Sequence, residues 1–140
     1  MAEITIRNLQ KKVRPDRKKI KNLLRRVLIM EKCAFIKEVN VCLAGDRMIK
    51  KINASFAGKN NPTDVLSFGS GEKRKGRCAY ADIIVSIDTA RRNARIFHTS
   101  WRYETNLYCV HGLLHILGYN DDSKKNSAVM RKKENLYVNT

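Results

Sequence analysis

Two histidines and an aspartate near the C-terminus have the types and spacing of metal ligands. His111 and His115 are four residues apart, so on a helix their imidazoles lie on one face and can each offer a nitrogen to one ion. Gly118 suits the left-handed residue that commonly ends a helix, and the following turn could bring Asp121 towards that ion. Two histidines and a carboxylate, with a fourth position for water, are a known catalytic zinc arrangement. The sequence predicts one divalent ion per chain, zinc or another transition metal such as nickel.

The alternative roles of these residues are less well supported. A lone histidine on an apolar face is usually a core residue, but here two of only three histidines share a face and precede a helix stop and an acidic pair. Gly112 stands where zinc peptidases of the H-E-x-x-H type carry their general base, which disfavours peptide hydrolysis. Cys109 is predicted to point away from His111 on the helix. His98 is predicted to be a surface residue or to support a ligand indirectly.

Three segments resemble one known family. Residues 111–121, HGLLHILGYND, resemble the H-G-x-L-H-x-x-G-Y-D-H signature of the YbeY family, which comprises metal-dependent endoribonucleases of ribosomal RNA maturation and ribosome quality control. Residues 61–68, NPTDVLSF, resemble the family's P-T-D-V-L-S-F block, and residues 81–86, ADIIVS, resemble its G-D-I-x-I-S strand. The blocks keep the family's order, and the similarity runs from residues 6–8 to the C-terminal helix. The first two blocks are specific.

The resemblance implies a function and a site. It implies a single-strand-specific endoribonuclease (a hydrolase) acting on ribosomal RNA, with the small ribosomal subunit as a partner. The catalytic and metal-binding residues would be His111, His115 and Asp121. Thr63 and Asp64 match positions that line the family's cleft, although they could equally be turn and strand-cap residues. Asp82 could orient a ligand imidazole from outside the ligand set.

Two departures from the family pattern concern the chemistry. Asp121 stands where the third ligand is normally histidine, with Asn120 where aspartate is usual, and Ala57 matches an arginine implicated in catalysis or RNA contact. An anionic ligand neutralises part of the ion's charge, so it should acidify bound water less than a third histidine would. Lys59, or a basic residue among 73–77, could replace the arginine from a distance. The alternative function is a catalytically weak, ribosome-associated RNA-binding factor with a structural metal.

Length and charge limit the possibilities further. The 140 residues fit one domain over positions 1–140. The chain has 29 basic and 13 acidic residues, so its net charge is +16. This charge favours a polyanionic partner such as RNA. There is no run of eighteen apolar residues and no signal-like apolar segment, so we expect a cytoplasmic protein without a membrane partner. The four cysteines form no C-x-x-C pair and are predicted to be reduced.

Hydrophobic periodicity predicts an α+β fold. Strands are expected around residues 4–9, 39–43, 65–68 and 79–87, from alternating or β-rich patterns. Helices are expected from Pro15, from 45–46 to Phe56, from Asp88 through Phe97, over 100–117, and from Asp122 or Ser123. There is no steady βα repeat, so we expect a small mixed β-sheet packed by helices, zinc-hydrolase-like, with a central metal-bearing helix. The first helix carries a cationic surface over residues 17–26, for which solvent and RNA are equally plausible contacts.

Overall fold

Four strands and five helices make up the described part of the chain. The structure is a computed structural model, and it describes residues 1–57, 64–70 and 78–139. In chain order the elements are β1 (Glu3–Asn8), α1 (Arg17–Met30), β2 (Glu38–Ala44), α2 (Asp46–Ala57), β3 (Val65–Ser70), β4 (Tyr80–Ser86), α3 (Ile87–Phe97), α4 (Trp101–Ile116) and α5 (Lys124–Val138).

The strands form one mixed sheet in the order β1-β2-β4-β3. Strand β2 runs parallel to β1 and β4, and β3 runs antiparallel to β4. The register places Ile4 opposite Val39 and Val41 opposite Ile83, so that apolar side chains align on one face. Alternation along a strand sends the neighbouring residues to the other face, where Thr5 and Asp82 are exposed. The sheet is therefore covered by helices on one face, which confirms the predicted fold class.

Helix α4 is the central helix of this layer. It packs across β3 and β4 and also contacts α1, α3 and α5. Its start is capped by Ser100, whose side chain accepts a hydrogen bond from the backbone of Tyr103. Gly112 lets it approach the sheet closely, because a Cβ there would lie 3.0 Å from a methyl of Ile83 and 3.1 Å from one of Val65. A side chain at this position, such as the glutamate of a zinc peptidase, would require these two methyls to shift by a few tenths of an ångström.

Helix starts and surface residues show where the predictions were inaccurate. Helix α1 begins after its cap Asp16, so Pro15 precedes the helix. Ser86, and not Asp88, caps α3, because its hydroxyl accepts from the backbone of Thr89. Phe97, the last apolar residue of the helix predicted from Asp88, is 61% exposed at the end of α3.

The expected start of the last helix agrees with the structure. Ser123 caps α5, one of the two residues proposed for that role. All four cysteines are free. Within the described ranges, no helix combines the length and apolar character needed to cross a membrane.

Candidate metal centre

His111, His115 and Asp121 meet at the C-terminal end of α4. Their nearest potential ligand atoms all lie within 4.8 Å of one another. Nε2 of His111 is 3.9 Å from one Asp121 oxygen, and Nε2 of His115 is 3.8 Å from the other. Two ligands about 2 Å from a zinc ion are at most about 4 Å apart, so these atoms can share one ion with little movement. The donor set fits a divalent transition metal.

The turn after α4 explains how Asp121 returns to the histidines. Gly118 has a φ of 109° and donates its backbone N–H to the carbonyl of His115, at 3.1 Å. Tyr119 donates to the carbonyl of Leu114, at 3.0 Å. These two bonds form a Schellman motif, which reverses the chain at the end of a helix. The positive φ favours glycine here, as the sequence predicted.

Glu134 of α5 is a site residue that sequence reasoning missed. One of its oxygens lies 2.5 Å from Nδ1 of His111, and its side chain is only 14% exposed. A proton held on Nδ1 leaves Nε2 as the nitrogen that faces Asp121. Histidines that bind metals usually donate their second N–H to such an acceptor. The sequence did hold a signal, since Glu134 is the sole acid among five basic residues in α5.

The orienting role suggested for Asp82 is wrong. Asp82 lies on the exposed face of the sheet, where it accepts a hydrogen bond from Asn40 at 3.3 Å.

The hydrogen bond that His111 donates to Glu134 raises the pKa of His111 and outweighs burial, which lowers it. The charges of Glu134, Asp64 and Asp121 act in the same sense as that bond. The surroundings of His111 therefore favour positive charge, whether a proton or a cation supplies it.

Glu31, at the end of α1, forms hydrogen bonds with two segments: the loop that carries Asp121 and helix α5, which carries Glu134. Its carboxylate is 8% exposed and accepts hydrogen bonds from Tyr119 at 2.5 Å, from Lys133 at 2.9 Å and from Tyr137. Tyr119 precedes Asp121 by two residues, and Lys133 is adjacent to Glu134. The Glu31 carboxylate therefore holds in place both the loop that carries Asp121 and the helix that carries Glu134.

Asp64 lies near the cluster, at the start of β3. Its carboxylate accepts the backbone N–H of Val65 at 2.8 Å, which is the strand-cap role, and its negative charge also reaches His111. Thr63, Lys59 and residues 73–77 lie outside the described residues. Ala57 is the last residue of α2, and its side chain is likewise outside the description.

Two other candidates are excluded from the cluster. Cys109 is fully buried, and burial raises the pKa of its thiol to about 12, so it is a protonated core residue. His98 lies at the opposite end of the helical layer, where it ends α3 with a φ of 57°. These positions agree with the sequence analysis, which gave neither residue a ligand role.

Comparisons with known proteins agree with the geometry. The family model described as Endoribonuclease YbeY matches residues 5–140. The chain is similar to a protein named Endoribonuclease YbeY from Syntrophus aciditrophicus, 37% identical over 136 residues that cover 94% of this chain and 84% of the relative. It is also similar to one of the same name from Chloroherpeton thalassium, 35% identical and covering 86% and 82%.

A solved structure gives the same result for the fold. The solution structure of TM1509 from Thermotoga maritima superposes with a TM-score of 0.62 at 31% identity, covering 99% of this chain and 87% of that one. The match spans the sheet and the helices, so the likeness is not confined to the histidine segment. The chain therefore belongs to the YbeY family of endoribonucleases.

Proposed function

We propose that this protein is a metal-dependent endoribonuclease that cleaves single-stranded RNA in ribosomal RNA maturation. The carrying observation is the convergence of His111, His115 and Asp121 with the support of Glu134, in a chain of the YbeY family. The relatives are named endoribonucleases. The proposed ligands are these two Nε2 atoms and the Asp121 carboxylate, with zinc as the first choice because imidazole and carboxylate together suit it.

The chain's own groups have defined tasks in this proposal. A bound ion would supply Lewis acidity towards a phosphoryl oxygen and would acidify water. Glu134 holds the Nδ1 proton of His111 and so fixes the ring's orientation. Asp121, 51% exposed, leaves the cluster open to solvent and to a substrate. Asp64 adds negative charge beside His111 and increases the attraction for a cation.

The charge of the chain supports an RNA substrate. A net charge of +16 favours a polyanion, and neutralising phosphates with lysine and arginine supplies most of the sequence-independent affinity for nucleic acid. Ribosomal RNA, the small ribosomal subunit and a cytoplasmic location are parts of the proposal that rest on the family. Ribosome quality control is the wider role that we propose with them.

A catalytically weak RNA-binding factor is the second candidate. Asp121 brings a negative charge into the ligand set, and Ala57 carries no guanidinium where the family has arginine. Either change would weaken the stabilisation of charge that develops on the phosphate during cleavage. In that case the metal would be structural, and RNA binding would be the retained function.

Metal analysis combined with an RNA cleavage assay tests the proposal. Untagged protein purified without chelators should hold about one divalent ion per chain and should cleave single-stranded RNA unless a chelator is added. Replacing His111 and His115 together by Ala should abolish both properties. His98→Asn is the matched control, because it removes the third histidine, and asparagine tolerates the positive φ found there. Stoichiometric metal in the double variant would refute the proposed site.

A further inference from the structure

A cationic cleft lies between α3 and the start of α4, away from the histidines. Its volume is about 410 Å³, and its walls include Arg91, Ala94 and Arg95 of α3, Trp101 of α4 and Val13 of the first loop. Trp101 precedes His111 by ten residues on the same helix, which is about 15 Å along the axis at 1.5 Å per residue. The cleft and the candidate metal centre are therefore separate surfaces joined by one rigid helix.

Two arginines of this cleft have no acidic partner among the described residues. Arg91 and Arg95 are one helical turn apart and line the same cavity, so their charges repel each other. Their neighbour Arg92 is different, because it forms an ion pair with Asp46 at 2.6 Å. The cleft thus presents two guanidinium groups that no acid of the described segments neutralises. Guanidinium groups bind phosphates well because their planar donors match the oxygens.

Trp101 adds an aromatic surface to these charges. It is partly exposed, and the guanidinium of Arg102 lies 4.5 Å from its ring centroid. Trp101 lines two cavities. Arg102 joins it in the smaller one, beside α1. In the cleft, Trp101 lies with Arg91 and Arg95, and Arg102 is not part of the wall. An aromatic ring beside unpaired arginines is the combination that proteins use to bind single-stranded nucleic acid, with bases stacked on the ring.

We propose that this cleft is a second RNA-binding site, which holds single-stranded RNA with a base on Trp101 and phosphates on Arg91 and Arg95. The inference rests on the proposed function for its choice of polyanion. Because the two sites are separate, an RNA long enough to reach both binds more tightly than a short one. The cleft selects longer single-stranded substrates and leaves the cleavage step unchanged.

Fluorescence of Trp101 tests the site directly, since it is the chain's sole tryptophan. Titration with a single-stranded RNA oligonucleotide should quench the emission of Trp101. The same quenching should occur when a chelator is present and in the His111→Ala/His115→Ala variant. Replacing Arg91 and Arg95 by Gln should make the slope of log affinity against log salt concentration shallower by about 1.4, because each of the two lost phosphate contacts contributes about 0.7. Arg131→Gln with Lys132→Gln is the matched control, because it removes two charges from exposed positions on α5. In this control variant, RNA should bind at the cleft and quench the emission of Trp101 as it does in the wild type.

The outcomes separate this inference from the proposed function. RNA binding, measured by anisotropy, without a change in Trp101 emission would overturn the second site. Equal loss in the cleft variant and in the control would also overturn it, because net charge alone would then explain the binding. Inorganic polyphosphate, which has no bases, should compete with RNA for Arg91 and Arg95 but should quench Trp101 less than RNA does. Quenching equal to that caused by RNA would refute base stacking. Quenching in a protein that cleaves no RNA would support the second site while the nuclease proposal failed.

Discussion

Tyr119 donates a hydrogen bond of 2.5 Å to Glu31, and this contact joins the loop after α4 to the end of α1. Lys133 and Tyr137 of α5 bond the same carboxylate. Burial alone would raise the pKa of Glu31, but these hydrogen bonds and the charge of Lys133 more than offset it, so its pKa lies below the ordinary value of 4.5. The ionised carboxylate therefore stabilises the fold.

The first prediction concerns Glu31→Gln. The variant should lose about 1.5–3 kcal/mol of unfolding free energy at neutral pH, the usual contribution of hydrogen bonds to a charged group. A lowered folded pKa gives stability that is present above pH 4.5 and is lost as the pH falls through the folded pKa. The difference between variant and wild type should therefore shrink below pH 4.5. Urea unfolding at several pH values measures it, with exposed Glu3→Gln as control. A difference that is constant with pH would contradict the ionised role.

The second prediction concerns Glu134 and its hydrogen bond to His111. Glu134→Gln keeps an acceptor but loses the charge, so the affinity for zinc should fall about 10- to 100-fold, as for other groups that support a ligand histidine. Competition with a chromophoric chelator measures the change. Asp82→Asn is the matched control, because this acid lies on the opposite face of the sheet and should leave the affinity unaltered. Equal losses in both variants would indicate a general effect of charge.

The convergence of His111, His115 and Asp121 was predictable from sequence because it depends on local geometry. The spacing of His111 and His115 fixes a shared helix face, and Gly118 marks the reversal that returns Asp121. Glu134 was not predictable in the same way. It lies 23 residues from His111 along the chain, and its contact depends on how α5 packs on α4. Periodicity identifies that helix but does not fix its orientation.

The fold was predictable in class and in element order for a similar reason. Alternation in residues 39–43 and the β-rich composition of residues 79–87 indicated strands, and apolar spacing together with helix start and stop residues indicated the five helices. The pairing order β1-β2-β4-β3 was beyond reach, because it is decided by contacts between distant segments. The exposure of Phe97 could not be read from its spacing to Ala90 and Ala94, because that spacing does not show where the neighbouring helices end.

The third prediction concerns the cationic surface of α1. Arg17, Lys18 and Lys21 line a cleft beside β1, whereas Arg25 bonds the carbonyl of Ala2 and is partly buried. Replacing the first three by Gln should reduce the salt slope of RNA binding by about 2, at about 0.7 per contact. Lys124, Lys125 and Lys132, exposed on α5, provide the control of equal charge. An unchanged slope in the α1 variant would assign its charge to solvent.

The fourth prediction decides between the enzyme and the binding factor, and it uses the two departures from the family pattern. Asp121→His removes a negative charge from the ligand set, and Ala57→Arg restores a guanidinium at the end of α2. Each should raise metal-dependent cleavage of single-stranded RNA, because groups that stabilise developing charge are worth about 2.7–4 kcal/mol, or roughly a hundred- to a thousandfold in rate. Wild type, both single variants and the double variant are compared with and without chelator.

The outcomes of this comparison differ for each reading of the site. A rise in both single variants would show that the natural chain is a slowed enzyme. Fast chelator-sensitive cleavage by the wild type, with no gain in any variant, would show that Asp121 is a competent ligand and that another cation does the work of the arginine. Metal binding and RNA binding without cleavage in all four proteins would favour the binding factor, because the ion would then serve only to hold α4 and its following loop together.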